Sequence, residues 1–175
     1  MEGVSGFAPD ARWVRPESLH VTLKFIGEKP ADSAEKIEAA LSKVRATAIN
    51  ITFRGIGFFP TAKSARVFWV AIDAGPELSD LAGAVDRAVS TMGIPREERS
   101  FSPHLTLARG GSGSGAPRRE KTDKPNRSFQ KLQEKMAAMP PPEFGTMTAH
   151  EFFLYESQIM RGGARYTKIA RFELS

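Results

Sequence analysis

Two tetrapeptides in this sequence share a pattern that chemistry can use: His20-Val21-Thr22-Leu23 and His104-Leu105-Thr106-Leu107. The chain has three histidines, and two of them occupy this one context. Such a run alternates polar and apolar residues, the period-two signature of a strand with one buried face. On that strand His and Thr share one face while the two apolar residues point into the core. Two such strands side by side would line a groove with two imidazoles and two hydroxyls. Displacement at phosphorus calls for this set of groups. A base activates the nucleophile, and an acid protonates the leaving oxygen. Imidazole, with an unperturbed pKa of about 6.5, can take either role near neutrality. The Thr hydroxyls can hydrogen-bond the non-bridging oxygens, and a nearby arginine would offset negative charge.

Arg109 is the candidate arginine. It lies five residues after His104, an odd spacing that aims it at the wrong face of a continuous strand. Gly110-Gly111 could let the strand bend or end there and free the side chain to turn back. A single H-x-T on a strand is most often only a half-buried strand; it is the duplication that carries the chemical reading. His150, amid Ala149, Glu151 and Phe152, reads as an ordinary strand residue. Zinc binding is disfavoured, since the chain has no cysteine and no H-x-x-x-H helical pair.

The elements that must hold these residues follow from periodicity. Leu19–Phe25 alternates as a strand closed by Gly27 and Pro30, and Ser33 opens a helix expected to run to about Thr47. Strands are predicted at Ile51–Phe59 and Arg66–Asp73, separated by a Pro60–Ser64 turn. Pro76 begins a helix whose buried stripe is Leu78, Leu81, Val85, Ala88, Val89 and Met92, ended by Gly93. Ser102–Arg109 is the next strand. A helix over Ser128–Met139 follows, stopped by Pro140–Pro142, and strands at Thr146–Ser157 and Tyr166–Leu174 finish the chain. The opening Met1–Asp10 shows no periodicity and reads as a lead-in. Interspersed helices and strands with short connections favour an α+β fold with antiparallel pairing.

A chain of 175 residues suits one domain, 1–175. With no cysteine, disulfides and thiolate catalysis are excluded. Neither a membrane-spanning apolar run nor a signal pattern is present, so a cytoplasmic protein is expected. The net charge of +5 suits a polyanionic partner only weakly, because much of it sits in one segment. That segment, at 110–127, is Gly/Ser-rich and then basic, with Arg118, Arg119, Lys121, Lys124 and Arg127 against Glu120 and Asp123. It has no core former and reads as a flexible basic loop, either idle or a basic arm for a polyanionic partner.

Beyond the doubled motif, further segments fall into a known order. They are Arg12–Gly27 (RWVRPESLHVTLKFIG), Gly57–Pro60 leading to Arg66–Val70, Phe101–Arg109 (FSPHLTLAR), and Leu154–Ser157 with Gly163–Tyr166. Across residues 12 to 174 the chain resembles the RNA 2′,3′-cyclic phosphodiesterases, also called 2′-5′ RNA ligases, of the two-histidine phosphoesterase superfamily. The resemblance implies a bilobal α+β fold with pseudo-two-fold symmetry: two antiparallel sheets with helices outside, and one H-Φ-T strand from each lobe lining a central cleft. It implies opening of a terminal 2′,3′-cyclic phosphate to a 2′-phosphomonoester without metal or cofactor, with reversible 2′-5′ ligation as a further activity. By position the site is His20, Thr22, His104, Thr106 and Arg109. The product keeps its 2′-phosphate, so the 3′ oxygen leaves; His104 is assigned as general base for water and His20 as general acid. The partner implied is RNA bearing a 2′,3′-cyclic phosphate or a 2′-5′ linkage. Two other readings compete: a sister enzyme for small cyclic nucleotides or 2′-5′ oligoadenylate, and an RNA-end binding protein without turnover. Phe25, Phe58, Phe101 and Tyr155 are candidates to stack on a base, with core packing the alternative for each. Relatives carry a strand and a helix ahead of the Arg12 segment, where this chain has Met1–Ala11. One lobe is therefore expected to show an exposed sheet edge and apolar surface.

Overall fold

The computed structural model of the chain describes residues 2–110, 127–160 and 163–175. In chain order the elements are α1 (Glu2–Ser5), β1 (Arg12–Trp13), α2 (Ser33–Leu41), β2 (Ile49–Phe59), β3 (Val67–Asp73), α3 (Gly75–Ser90), β4 (His104–Arg109), α4 (Gln130–Ala137), β5 (Glu143–Ala149), β6 (Glu151–Met160) and β7 (Gly163–Glu173). Five strands form one antiparallel sheet in the order β1-β4-β3-β2-β5, and β6 pairs β7 in a second. The α+β class with curled antiparallel sheets is as expected. Of the loop predicted at 110–127, residues 111–126 lie outside the described residues.

Apolar stripes decide which side of the large sheet is covered. Helix α3 buries Leu78, Leu81, Val85 and Val89 against Ile49 and Ile51 of β2, and α2 adds Ile37 and Leu41. The hairpin contributes Phe152, Leu154, Phe172 and Leu174 to the same core. A second core puts Phe129 and Leu132 on Phe68 and Val70 of β3 and on Leu107 and Ala108 of β4. Full burial of side chains this size contributes about 1.5–3 kcal/mol each. The strand residues in both cores belong to one face of the sheet, so the opposite face is left for other work.

Several boundaries differ from the periodic reading, each for a physical reason. The predicted strand Leu19–Phe25 is an extended segment joined to the sheet by one bridge, Val21 to Leu105. It continues a line that begins with β1: Arg12 and Trp13 pair with Arg109 and Ala108, Val14 N–H donates to Leu107 O, and a 3-10 turn at Pro16–Ser18 then lifts the chain away. Both H-Φ-T motifs thus meet at one edge of β4. Helix α2 ends at Leu41 and not Thr47. Its last turn tightens into short-range bonds, Lys43 N–H to Ala40 O and Val44 N–H to Leu41 O, and Ala46 O instead accepts Ser175 N–H.

The single strand predicted at Thr146–Ser157 is two. Ala149 pairs with Ile49 in the large sheet while Glu151 pairs with Glu173 in the hairpin, so the chain changes sheets at His150. His150 is the corner residue between β5 and β6, its carbonyl accepting Leu174 N–H at 2.8 Å. The lead-in holds the short α1, and Ala8 and Ala11 close the second core. Large apolar side chains do stand exposed, among them Phe25, Phe144, Met147, Ile159 and Met160. Among the described residues no helix is long and apolar enough to cross a membrane.

Candidate active site

The Val21–Leu105 bridge fixes what the motifs present. Val21 and Leu23 pack on one core, Leu105 and Leu107 on the other, so the flanking polar residues take the open face. In the antiparallel register set by that bridge, His20 lies opposite Thr106 and Thr22 opposite His104. The two histidines occupy diagonal corners of this four-residue patch, a separation of roughly 7–8 Å along the sheet.

Each imidazole is oriented in the same way. His20 Nδ1 lies 2.7 Å from Ser18 O, and His104 Nδ1 lies 2.8 Å from Ser102 O. A carbonyl only accepts, so Nδ1 carries the proton in both rings and Nε2 is the nitrogen left for chemistry. The repeat is therefore longer than H-Φ-T-Φ. It includes the residue two before each histidine, which is a serine in both copies. The serine's contribution is its main chain, and a side-chain motif search passes over it. Pro103 helps here, because a proline holds the preceding residue in the extended region that aims Ser102 O at the ring.

Aromatic side chains wall each histidine on its own side. His104 meets Phe59 edge to face at 5.0 Å between centroids and Trp69 at 6.0 Å, and those two rings stack at 4.8 Å. Gly57 sits opposite Trp69 in the β2–β3 register, and a Cβ there would fall within the indole ring. Trp69 thus lies flat on bare backbone, which fixes the wall beside His104. On the other side, His20 meets Tyr166 of β7 edge to face at 4.7 Å. The second sheet joins the site through this contact.

Arg109 reaches the site face by a device different from the one expected. β4 ends at Arg109, just before Gly110, whose N–H still donates to Arg66 O at 2.8 Å. The parity changes earlier. Trp69 pairs with Thr106 but Phe68 pairs with Ala108, which makes Leu107 the extra residue of a β-bulge. Leu107 and Ala108 both turn to the core, and Arg109 returns to the side of His104 and Thr106. Arg12, paired with Arg109 across the β1–β4 edge, shares that side.

A third group of residues holds the first motif from behind. Lys24 Nζ lies 2.7 Å from Asp86 Oδ1 of α3 and donates to Pro95 O at 2.8 Å. Arg96 Nε sits 2.8 Å from Asp86 Oδ2, and Glu97 N–H donates to Oδ1 at 3.1 Å. The Lys24 ion pair, with the Glu97 amide and Arg96, holds the Asp86 carboxyl below its ordinary value against the opposing effect of burial. Sequence reading passed over this cluster, because its members lie far apart in the chain.

The chain matches a family model described as LigT-like phosphoesterase in two consecutive stretches, residues 5–69 and 70–166. Each stretch contains one motif histidine. The RNA 2′,3′-cyclic phosphodiesterase of Archaeoglobus fulgidus is 31% identical over 173 residues, covering 99% of this chain and 87% of that protein. The protein of the same name from Escherichia coli is 28% identical over 172 residues, covering 97% and 84%. Among solved structures, TT0787 of Thermus thermophilus superposes with a TM-score of 0.73 at 27% identity, covering 99% of this chain and 88% of that one. Escherichia coli LigT in complex with 3′-AMP gives 0.70 at 27% identity, covering 95% and 82%. The chain belongs to the LigT-like phosphoesterase family.

Proposed function

We propose that this protein hydrolyses the 2′,3′-cyclic phosphate at the end of an RNA to a 2′-phosphomonoester, without metal, through His20 and His104. The observation that carries the reading is the pair of matched Nδ1-to-carbonyl contacts, which leave Nε2 of each ring as the nitrogen not committed to the main chain. A group that accepts a proton and a group that supplies one, each held by its main chain, is what in-line displacement at phosphorus needs. The names of the curated relatives and the 3′-AMP bound by Escherichia coli LigT support the same substrate class.

In the proposed step neutral His104 takes a proton at Nε2 from water as the water oxygen attacks phosphorus. The bond from phosphorus to the 3′ oxygen breaks, and His20, protonated beforehand, gives its Nε2 proton to that oxygen. The product keeps phosphate on the 2′ oxygen and gains a 3′ hydroxyl. Thr22 and Thr106 donate to the non-bridging oxygens, and Arg109 offsets their charge. A 5′ hydroxyl in place of water would give a 2′-5′ linkage by the same step, and the reverse would break one.

The test is an end-product assay on an oligonucleotide ending in a cyclic phosphate, run in EDTA. The expected result is a 2′-phosphate end, with His20→Ala and His104→Ala each slowing turnover by about 10²–10⁴-fold. Activity that vanishes on chelation and returns with added metal would overturn the mechanism, and so would an unimpaired single-histidine variant.

A further inference from the structure

The Tyr166 contact with His20 is the first rung of a longer ladder. Tyr166 meets Tyr155 edge to face at 6.3 Å, and Tyr155 meets Phe153 at 5.8 Å. Lys168 Nζ lies 3.8 Å over the Phe153 ring. Strand register explains why they line up. Tyr155 pairs with Lys168 and Ser157 with Tyr166, and a bulge at Ile169 keeps Phe153 and Arg171 on that same face. The opposite face of the hairpin carries Phe152, Leu154 and Phe172 into the core. A row of rings with a cation therefore runs outward from His20 along the open face.

We infer that this row is a track for single-stranded RNA, and that it takes the nucleotide immediately 5′ of the reacting end. The inference rests on the substrate class proposed above. Tyr155, 37% exposed, offers a ring to the base, and Lys168, steadied by the Phe153 ring, meets the phosphate of that nucleotide. Charge sets the direction and length of the track. Beyond Phe153, Arg171 is engaged by Glu151 and Glu173, so the face there is no longer cationic. Glu156 pairs with Thr167 and by alternation turns to the other side. The favourable stretch is about two rungs long, which predicts selection for an oligonucleotide end over a mononucleotide, with little reading of sequence because every base offers a face to stack.

The test compares kcat/KM on a hexanucleotide ending in 2′,3′-cyclic phosphate with kcat/KM on a nucleoside 2′,3′-cyclic phosphate. Tyr155→Ala should lower the ratio of the two about tenfold, within the range of one lost base stack. Tyr155→Trp should restore it. Lys168→Gln should lower the ratio less and flatten its salt dependence by about one phosphate contact. Phe144→Ala, an exposed ring on β5 away from the ladder, should leave the ratio as it is. A Tyr155→Ala protein that loses both substrates equally, or neither, overturns the track. If the wild type turns over neither substrate, the proposed reaction fails, while weaker hexanucleotide binding by Tyr155→Ala in fluorescence anisotropy would still support the track and unchanged binding would overturn it.

Discussion

Replacing Asp86 by asparagine should strand a buried ammonium and loosen the extended segment that carries His20. The Lys24 side chain is only 6% exposed, and its partners are the Asp86 carboxylate at 2.7 Å and Pro95 O at 2.8 Å. Removing one member of a buried pair costs about 3–5 kcal/mol. The low end applies here. Asparagine still offers an oxygen to Glu97 N–H, and Arg96, 61% exposed, contributes at most about 1 kcal/mol. We therefore expect Asp86→Asn to lose about 3 kcal/mol in urea unfolding at pH 7, with the m-value unchanged. Because Lys24 helps the Val21 bridge and the packing of Val21 and Leu23 hold the first motif, kcat should fall more than KM rises.

The pH dependence follows from the direction of the Asp86 shift. Its folded-state pKa lies below the ordinary value of 3.8, so ionised Asp86 favours the folded state above that value. The advantage of the wild type over Asp86→Asn should shrink as pH falls through this region and vanish below the folded value. A double variant, Lys24→Met with Asp86→Leu, removes both charges and should recover most of the loss. A single variant that costs less than about 1 kcal/mol would refute the stranded-charge argument, as would a double variant no better than the single.

Two further outcomes follow. Gly57→Ala should displace the Trp69 ring and with it the wall against His104, lowering kcat on the cyclic-phosphate oligonucleotide at least tenfold while far-UV circular dichroism stays native. Phe129→Ala should cost about 3–5 kcal/mol in urea unfolding, because this fully buried ring packs on Phe58 and Phe68 beneath the sheet; a loss under about 1 kcal/mol would mean the second core collapses to fill the space.

The motif histidines were legible from sequence because strand periodicity is local: alternation alone said that His20 and Thr22, and His104 and Thr106, share a face. The stripe of α3 was legible for the same reason, with Leu78, Leu81, Val85 and Val89 all in the first core. What escaped was set by partners distant in the chain. The run Thr146–Ser157 reads as one strand, and only the choice of β2 or β7 as partner divides it at His150. The Lys24–Asp86 pair spans sixty-two positions and leaves no periodic trace. The serine carbonyls escaped because a main-chain acceptor is present at every residue, so residue type could not flag them.

Arg109 shows why parity arguments fail at a working site. Counting alternate residues from His104 put its side chain on the core face, and that count is correct for a regular strand. The structure inserts Leu107 as an extra residue, so β4 spends two core-facing positions in succession on Leu107 and Ala108. The second core supplies the reason: both side chains are buried against Phe68, and an arginine at Ala108 would be an unpaired charge within it. The bulge therefore serves packing and chemistry together. It gives the core two adjacent contacts and returns a cation to the face of the two imidazoles, on a backbone held from both edges by β1 and β3. Deleting Leu107 should restore regular pairing with Arg109 still on the imidazole face, now four positions from His104, and the cost should fall on the second core, which loses one buried leucine side chain, about 2–5 kcal/mol in urea unfolding.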